Sequence, residues 1–145
     1  MGFKLKINKP NDKDSINLVM GILKKNGCSI IGDLNTVDTY SPFDISGVTS
    51  DGLPFCAEVK DKACKHDTYG DVMCDLAKVK KYQESPLYLK MLVFNKFSDG
   101  YMGIGNPDAG YQVIKRQTPI TTEFSEKGTE VQELASMKQL RLIKV

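Results

Sequence analysis

The chain of 145 residues is long enough for one compact core and too short for two. Hydrophobic residues at 41% and charged residues at 26% are the proportions of a folded globular protein, which excludes a disordered or fibrous chain. The formal charge of +2, from 20 basic and 18 acidic side chains, excludes polyanion binding through bulk charge and leaves that role to a local basic face.

No apolar stretch approaches the roughly 18 residues needed to cross a bilayer, and the opening MGFKLKINKPNDKD lacks the apolar core of a secretory signal. The expectation is a cytoplasmic protein with no membrane partner, folded as a single domain over 1–145. Cys28, Cys56, Cys64 and Cys74 form no CxxC pair and are expected as reduced thiols. Cys64, His66 and Cys74 together with Cys56 have the spacing of no common zinc ribbon or finger, and small buried or half-buried thiols are the plainer reading. His66 is the only histidine. A Cys-His or Ser-His-Asp nucleophile system therefore has little to draw on, and catalysis would fall to carboxylates, lysines or a metal.

Asp12 to Asn26 reads as a helix, with Asp12, Asp14 or Ser15 at its start, Lys24 and Lys25 in its last turn and Gly27 just beyond. Ile16, Val19, Met20 and Leu23 fall at helical spacing and form its core stripe. A short apolar piece, Cys28 to Ile31, and a polar stretch, Gly32 to Ser41, follow. Pro42 to Val48 and Leu53 to Lys60 read as two strands joined at Ser50-Asp51-Gly52. A three-residue loop with Gly52 left-handed pairs Thr49 with Leu53 and sets Asp44 opposite Glu58. Asp44, Glu58 and Lys60 then share one face, while Phe43, Ile45, Phe55, Ala57 and Val59 face a core. A loop one residue shorter reverses the side on which Asp44 lies.

Tyr69 to Gln83 is predicted as a second helix packing through Val72, Met73, Leu76 and Val79, with Asp71, Asp75, Lys78 and Tyr82 on a neighbouring stripe. Strands follow at Tyr88 to Phe97 and Tyr101 to Gly105, joined by the hairpin signal Ser98-Asp99-Gly100. The tail reads as a strand at Tyr111 to Lys115, an unassigned piece at Thr118 to Thr122, a short helix at Glu130 to Met137 and a strand at Leu140 to Val145.

Two carboxylates on one face of a hairpin repel each other unless something neutralises them. A divalent cation such as Mg²⁺, which takes hard oxygen ligands, does so, and the carbonyl of Val59 adds a further oxygen beside Asp44 and Glu58. Lys60, two residues after Glu58, brings an ammonium group to the same place, where it can steady a nucleophilic water or the charge on a phosphate. This is the equipment for metal-assisted phosphodiester hydrolysis.

The pattern Pro42-Phe43-Asp44, thirteen intervening residues, then Glu58-Val59-Lys60 resembles the PD-(D/E)xK nuclease superfamily, with its order of helix, hairpin, helix and strand. The resemblance spans about residues 12 to 97. It implies an α/β fold with a restriction-endonuclease-like core, a mixed central β-sheet flanked by helices. It also implies a nuclease acting on DNA as an endonuclease and using Mg²⁺, for which Mn²⁺ substitutes. Asp44 and Glu58 would bind the metal, Lys60 would be the catalytic lysine, and Lys78 is the candidate polar residue from the following helix, with Asp75 and Tyr69 behind it. The first helix has no Glu where many members place an acid, and only Asp14 stands in for it. A domain of this size resembles nucleases carried by phage and mobile elements, which would place it in a host cytoplasm, bound to nucleic acid and acting as a homodimer or with a targeting partner.

The competing reading is a nuclease-like module without catalysis that binds nucleic acid or protein in a structural or assembly role. Apart from either, the plainest reading of the residues makes Glu58 and Lys60 solvated strand charges that discourage sheet aggregation, with Asp44 capping a turn after Pro42. Lys60, Lys62 and Lys65 with Lys80 and Lys81 are available for phosphate contacts. Tyr101 and Tyr111 are available for base stacking, although core or turn roles suit them better.

Overall fold

The computed structural model of the chain describes residues 10–33, 43–119 and 129–145. Pro42, most of the polar stretch before it and the end of the Thr118 to Thr122 segment lie outside these residues. Helix α1 (Pro10–Lys25) begins ahead of the expected start, so Ser15 lies inside it. Its hydroxyl donates to Asp61 Oδ1 at 2.6 Å and does not cap the helix. At the other end Gly27, with φ +84°, closes the helix, the Cys28 amide donating to the Leu23 carbonyl at 3.0 Å and the Gly27 amide to the Lys24 carbonyl at 3.0 Å.

Strands β1 (Ser29–Gly32), β2 (Ile45–Val48) and β3 (Pro54–Asp61) run as an antiparallel meander. The β2–β3 register pairs Ile45 with Ala57 and Val48 with Pro54. The turn between them has Thr49 N–H donating to the Leu53 carbonyl at 2.8 Å and Gly52 at φ +88°. Both agree with the register read from the sequence.

The second predicted helix is where sequence and structure part. Asp71–Asp75 is a strand, β4, and only Leu76–Glu84 is helical, α2, with no loop between them. Val72, Met73, Leu76 and Val79 fit a helical stripe, yet Val72-Met73-Cys74 is also a continuous buried run, which suits a strand covered on both faces. Asp71, Asp75, Lys78 and Tyr82 therefore do not share a helical stripe. Strands β5 (Lys90–Lys96) and β6 (Tyr101–Gly105), a short 3-10 turn at Pro107–Ala109, and strands β7 (Gln112–Pro119), β8 (Thr129–Lys138) and β9 (Arg141–Lys144) complete the chain. Strand β8 replaces the expected helix at Glu130 to Met137. It pairs with β7 through Thr129 to Ser136 and with β4 through Leu134 to Lys138, and those ladders override the weak helical period of Val131, Leu134 and Ala135.

The result is an α/β chain with a mixed six-stranded sheet, ordered β1-β2-β3-β5-β6-β9, and a three-stranded sheet ordered β4-β8-β7. Strands β3 and β5 are the parallel pair, linked through β4 and α2. Helix α1 covers one face through Ile16, Val19, Met20 and Leu23 packed on Ile45, Phe55, Ala57, Phe94 and Met102. Helix α2 and the smaller sheet cover the other face, where Val72, Cys74, Val79 and Met137 meet Cys56, Met91 and Val93. Phe43 joins this second cluster, with its ring edge-on to Tyr88 at 5.5 Å. The strand alternation that predicted the opposite face does not reach it, because β2 begins only at Ile45. Asn95, fully buried, ties the two sheets together: it accepts from the Met73 amide at 2.8 Å and donates to the Met73 carbonyl at 2.9 Å. No helix among the described residues is long and apolar enough to cross a membrane.

Candidate active site

Along β3 the even positions Cys56, Glu58 and Lys60 point to the face covered by α2 and β4. Cys56 is in the core, Glu58 lies at its rim, 7% exposed, and Lys60 emerges beyond it. Asp44, the residue before β2, meets this series end-on. Its amide donates to Glu58 Oε2 at 2.9 Å, and its Oδ2 accepts from the Val59 amide at 3.0 Å. A strand residue directs its N–H and C=O to the same side, so the Val59 carbonyl points towards Asp44 as well. The hairpin register thus assembles Asp44, Glu58 and the Val59 backbone at one point on the sheet.

Lysines arrive from two elements. Lys78, in the first turn of α2, lies with its Nζ 3.6 Å from Glu58 Oε1. Lys60 Nζ stands 3.4 Å from Asp75 Oδ1, and the Gln132 side-chain amide on β8 donates to the same oxygen. Asp75 occupies the N-cap position of α2, yet its side chain makes no capping hydrogen bond. An Asp there ordinarily accepts from the first-turn amides, worth about 1 kcal/mol. Here the carboxylate is turned towards Lys60, and the half-exposed pair fixes the place of the ammonium more than it adds stability. An open cleft of about 390 Å³ runs from Asp75 past Leu76, Lys80 and Gln132.

The surrounding electrostatics follow from burial. The Cys56 and Cys74 thiols are each pushed up to about 12, chiefly by burial and then by the charge of Glu58. They remain protonated core residues. Half-buried Lys62 falls below the ordinary lysine value, through burial first and the charge of Lys60 second. The plainer reading of the cysteines agrees with the structure: Cys56 and Cys74 are buried in the core, Cys28 and Cys64 are half-buried, and His66 Nδ1 is paired with Asp99 Oδ2 at 2.6 Å. Among the described residues, one ligand atom each of His66, Asp67 and Asp99 lies within 4.8 Å of the others, a grouping that exposed acids commonly form without an ion.

Asp14 does not stand in for an acid at this site. It borders a separate cleft of about 520 Å³ with Ser15 and Asp61, on the α1 face of the sheet. The chemistry gathers Asp44, Glu58, Val59, Lys60 and Lys78, with Asp75 as a close neighbour, and leaves out Asp14. Gln132 was missed by sequence reasoning, since the β8 segment was read as a helix. Tyr101 lies against the His66 ring, tilted by 40° with centroids 4.3 Å apart, and Tyr111 packs on the core with its hydroxyl 3.4 Å from Gln83 Oε1. Neither residue is as open as Tyr69, at 62% exposed. Comparison of the chain with protein-family models, with curated proteins and with solved structures finds no match.

Proposed function

We propose that this chain is a divalent-metal-dependent nuclease that hydrolyses phosphodiester bonds, with DNA as its substrate and Mg²⁺, or Mn²⁺ in its place, as its cofactor. The observation that carries the reading is the convergence of Asp44, Glu58 and the Val59 backbone, with Lys60 emerging two residues beyond Glu58 on the same face. The order of α1, the β2–β3 hairpin, α2 and then β5 beside β3 supports the PD-(D/E)xK resemblance and its restriction-endonuclease-like core.

The donor set suits a hard cation, because carboxylate and carbonyl oxygens are what Mg²⁺ takes. Asp44 Oδ1 accepts no hydrogen bond among the described residues. Asp44, Glu58 and the Val59 carbonyl would hold the ion, which supplies Lewis-acid polarisation of the phosphate and a more acidic water. The protein's own part is positional and electrostatic. Asp75 holds the Lys60 ammonium where charge develops on the phosphate, and Lys78 balances the buried Glu58.

A second reading has one observation in its favour. Glu58 faces Lys78 and Lys60 faces Asp75, so two of the three carboxylates at the site already have a lysine within the protein. That is also what a nuclease-like module kept for binding would show. Cleavage assays on single-stranded, linear, branched and supercoiled DNA and on RNA, in Mg²⁺ or Mn²⁺ against chelator, decide between the two. Metal-dependent cleavage lost on the order of 10²- to 10⁴-fold in Lys60→Ala supports the nuclease. Absent cleavage leaves the binding module, and equal cleavage by the variant removes Lys60 from the mechanism.

A further inference from the structure

Tyr69 lies in the loop before β4, immediately ahead of Gly70, and is 62% exposed. A tyrosine so open is normally an isolated surface residue, but this one is braced. The guanidinium carbon of Arg116, on β7, lies over the ring 4.9 Å from its centroid, a cation–π contact that orders the ring and occupies one of its faces. Arg116 pairs in register with Gln132 of β8, Gln132 donates to Asp75, and Asp75 holds Lys60. Cross-strand partners share a face, so the braced ring and the candidate catalytic lysine lie along one continuous surface. Half-buried Lys62, close enough to Lys60 and Arg116 for their charges to lower it, adds a cationic group beside that surface.

We propose that Tyr69, backed by Arg116, is a stacking platform for an unpaired base, so that the protein prefers nucleic acid with a single-stranded segment beside the reacting phosphate. This inference rests on the nuclease reading of the Asp44–Glu58–Lys60 site. The chemistry of the pair selects the ligand. The free ring face accepts another flat π system, and the neighbouring cations accept a phosphate backbone. A continuous duplex hides its base faces in the stack, whereas an unpaired or flipped base offers one. Both DNA and RNA carry such a base.

The test is binding of labelled single-stranded DNA, single-stranded RNA and a blunt duplex of the same sequence, by fluorescence anisotropy in chelator. Wild-type protein is expected to favour the single strands over the duplex. Tyr69→Ala is expected to weaken single-strand binding about ten- to hundredfold, the worth of one stacked base, while duplex binding holds and Tyr69→Phe binds as the wild type does. A loss on either single strand supports the platform and shows whether DNA or RNA supplies the base. Unchanged binding by Tyr69→Ala, an equal loss on duplex, or a Tyr69→Phe variant as weak as Tyr69→Ala overturns it. Cleavage by the same proteins in Mg²⁺ keeps the two readings apart. Wild-type protein that binds as expected but cleaves nothing removes the nuclease and keeps the platform. Wild-type protein that cleaves, beside a Tyr69→Ala variant that binds normally, removes the platform alone.

Discussion

Asp44 and Glu58 clasp each other across the end of the β2–β3 hairpin. Glu58 accepts from the backbone of Asp44, and the Asp44 side chain accepts from the backbone of the residue after Glu58, at 2.9 and 3.0 Å. Each carboxylate is thus held by the strand that carries the other. The clasp continues the sheet ladder by one step in side-chain form, past the point where the β2 backbone stops pairing at Ile45. Any chemistry at this place begins with two acids whose positions the hairpin register already sets.

Removing the Asp44 carboxylate therefore has a structural effect apart from any effect on activity. Asp44→Ala leaves the Val59 amide without its acceptor and is expected to cost about 1–3 kcal/mol in urea unfolding. Asp44→Asn keeps an acceptor oxygen and should lose less stability, yet it should lose Mn²⁺ binding as fully as the alanine variant. Equal stability of all three proteins would show that the clasp does not form.

The joint between the two sheets at Asn95 makes a separate forecast. Asn95→Leu leaves both the amide and the carbonyl of Met73 unpaired in a fully buried setting, and a loss of about 3 kcal/mol is expected. Chemical denaturation reads this directly. A variant as stable as the wild type would mean that the smaller sheet is held by apolar packing alone.

Asp99 gives the pH dependence. Burial alone would raise its carboxyl, but hydrogen bonds donated by the His66 ring and backbone outweigh it and hold the group below the ordinary carboxylate range. A carboxyl depressed in the folded state contributes stability above its unfolded value, about pH 4, and that contribution is lost as pH falls through the folded value. The urea midpoint of the wild type should fall more steeply than that of Asp99→Asn between about pH 4 and pH 2. Parallel curves would remove the His66–Asp99 contact as the cause.

Thiol labelling checks the core. With Cys56 and Cys74 buried and pushed up to about 12, their thiolate fractions at pH 8 are on the order of a thousandfold below that of an ordinary cysteine. Iodoacetamide should modify Cys64 first, and mass spectrometry should find Cys56 and Cys74 labelled only after denaturant is added. Early labelling at Cys74 would contradict the packing of β4, and with it the smaller sheet, against the larger one.

The hairpin carrying Asp44, Glu58 and Lys60 was legible in the sequence because Ser50-Asp51-Gly52 dictates its loop length and the loop length dictates the register. Helix α1 was legible from four apolar residues at helical spacing and the Gly27 stop. The smaller sheet was not. Strand β4 is buried on both faces, so its pattern carries no alternation, and β8 gains its form from partners on either side that no local pattern announces. The contacts of Asp75 and Arg116 were hidden for the same reason, since both depend on where that sheet lies. Ser15 was misassigned because its bond to Asp61 spans 46 residues of sequence.

Strand β4 passes into α2 at Asp75 without an intervening residue, and this abruptness constrains how the chain can vary. With no slack, the rotational phase of α2 is inherited from the strand before it. One residue added between Cys74 and Leu76 would turn every later helical position by about 100°, swinging Lys78 away from Glu58 while the strand stayed in place. An equal insertion ahead of β4, in the exposed loop around Gly70, would be absorbed before the strand begins. Length changes are therefore expected to be admitted on one side of β4 and refused on the other.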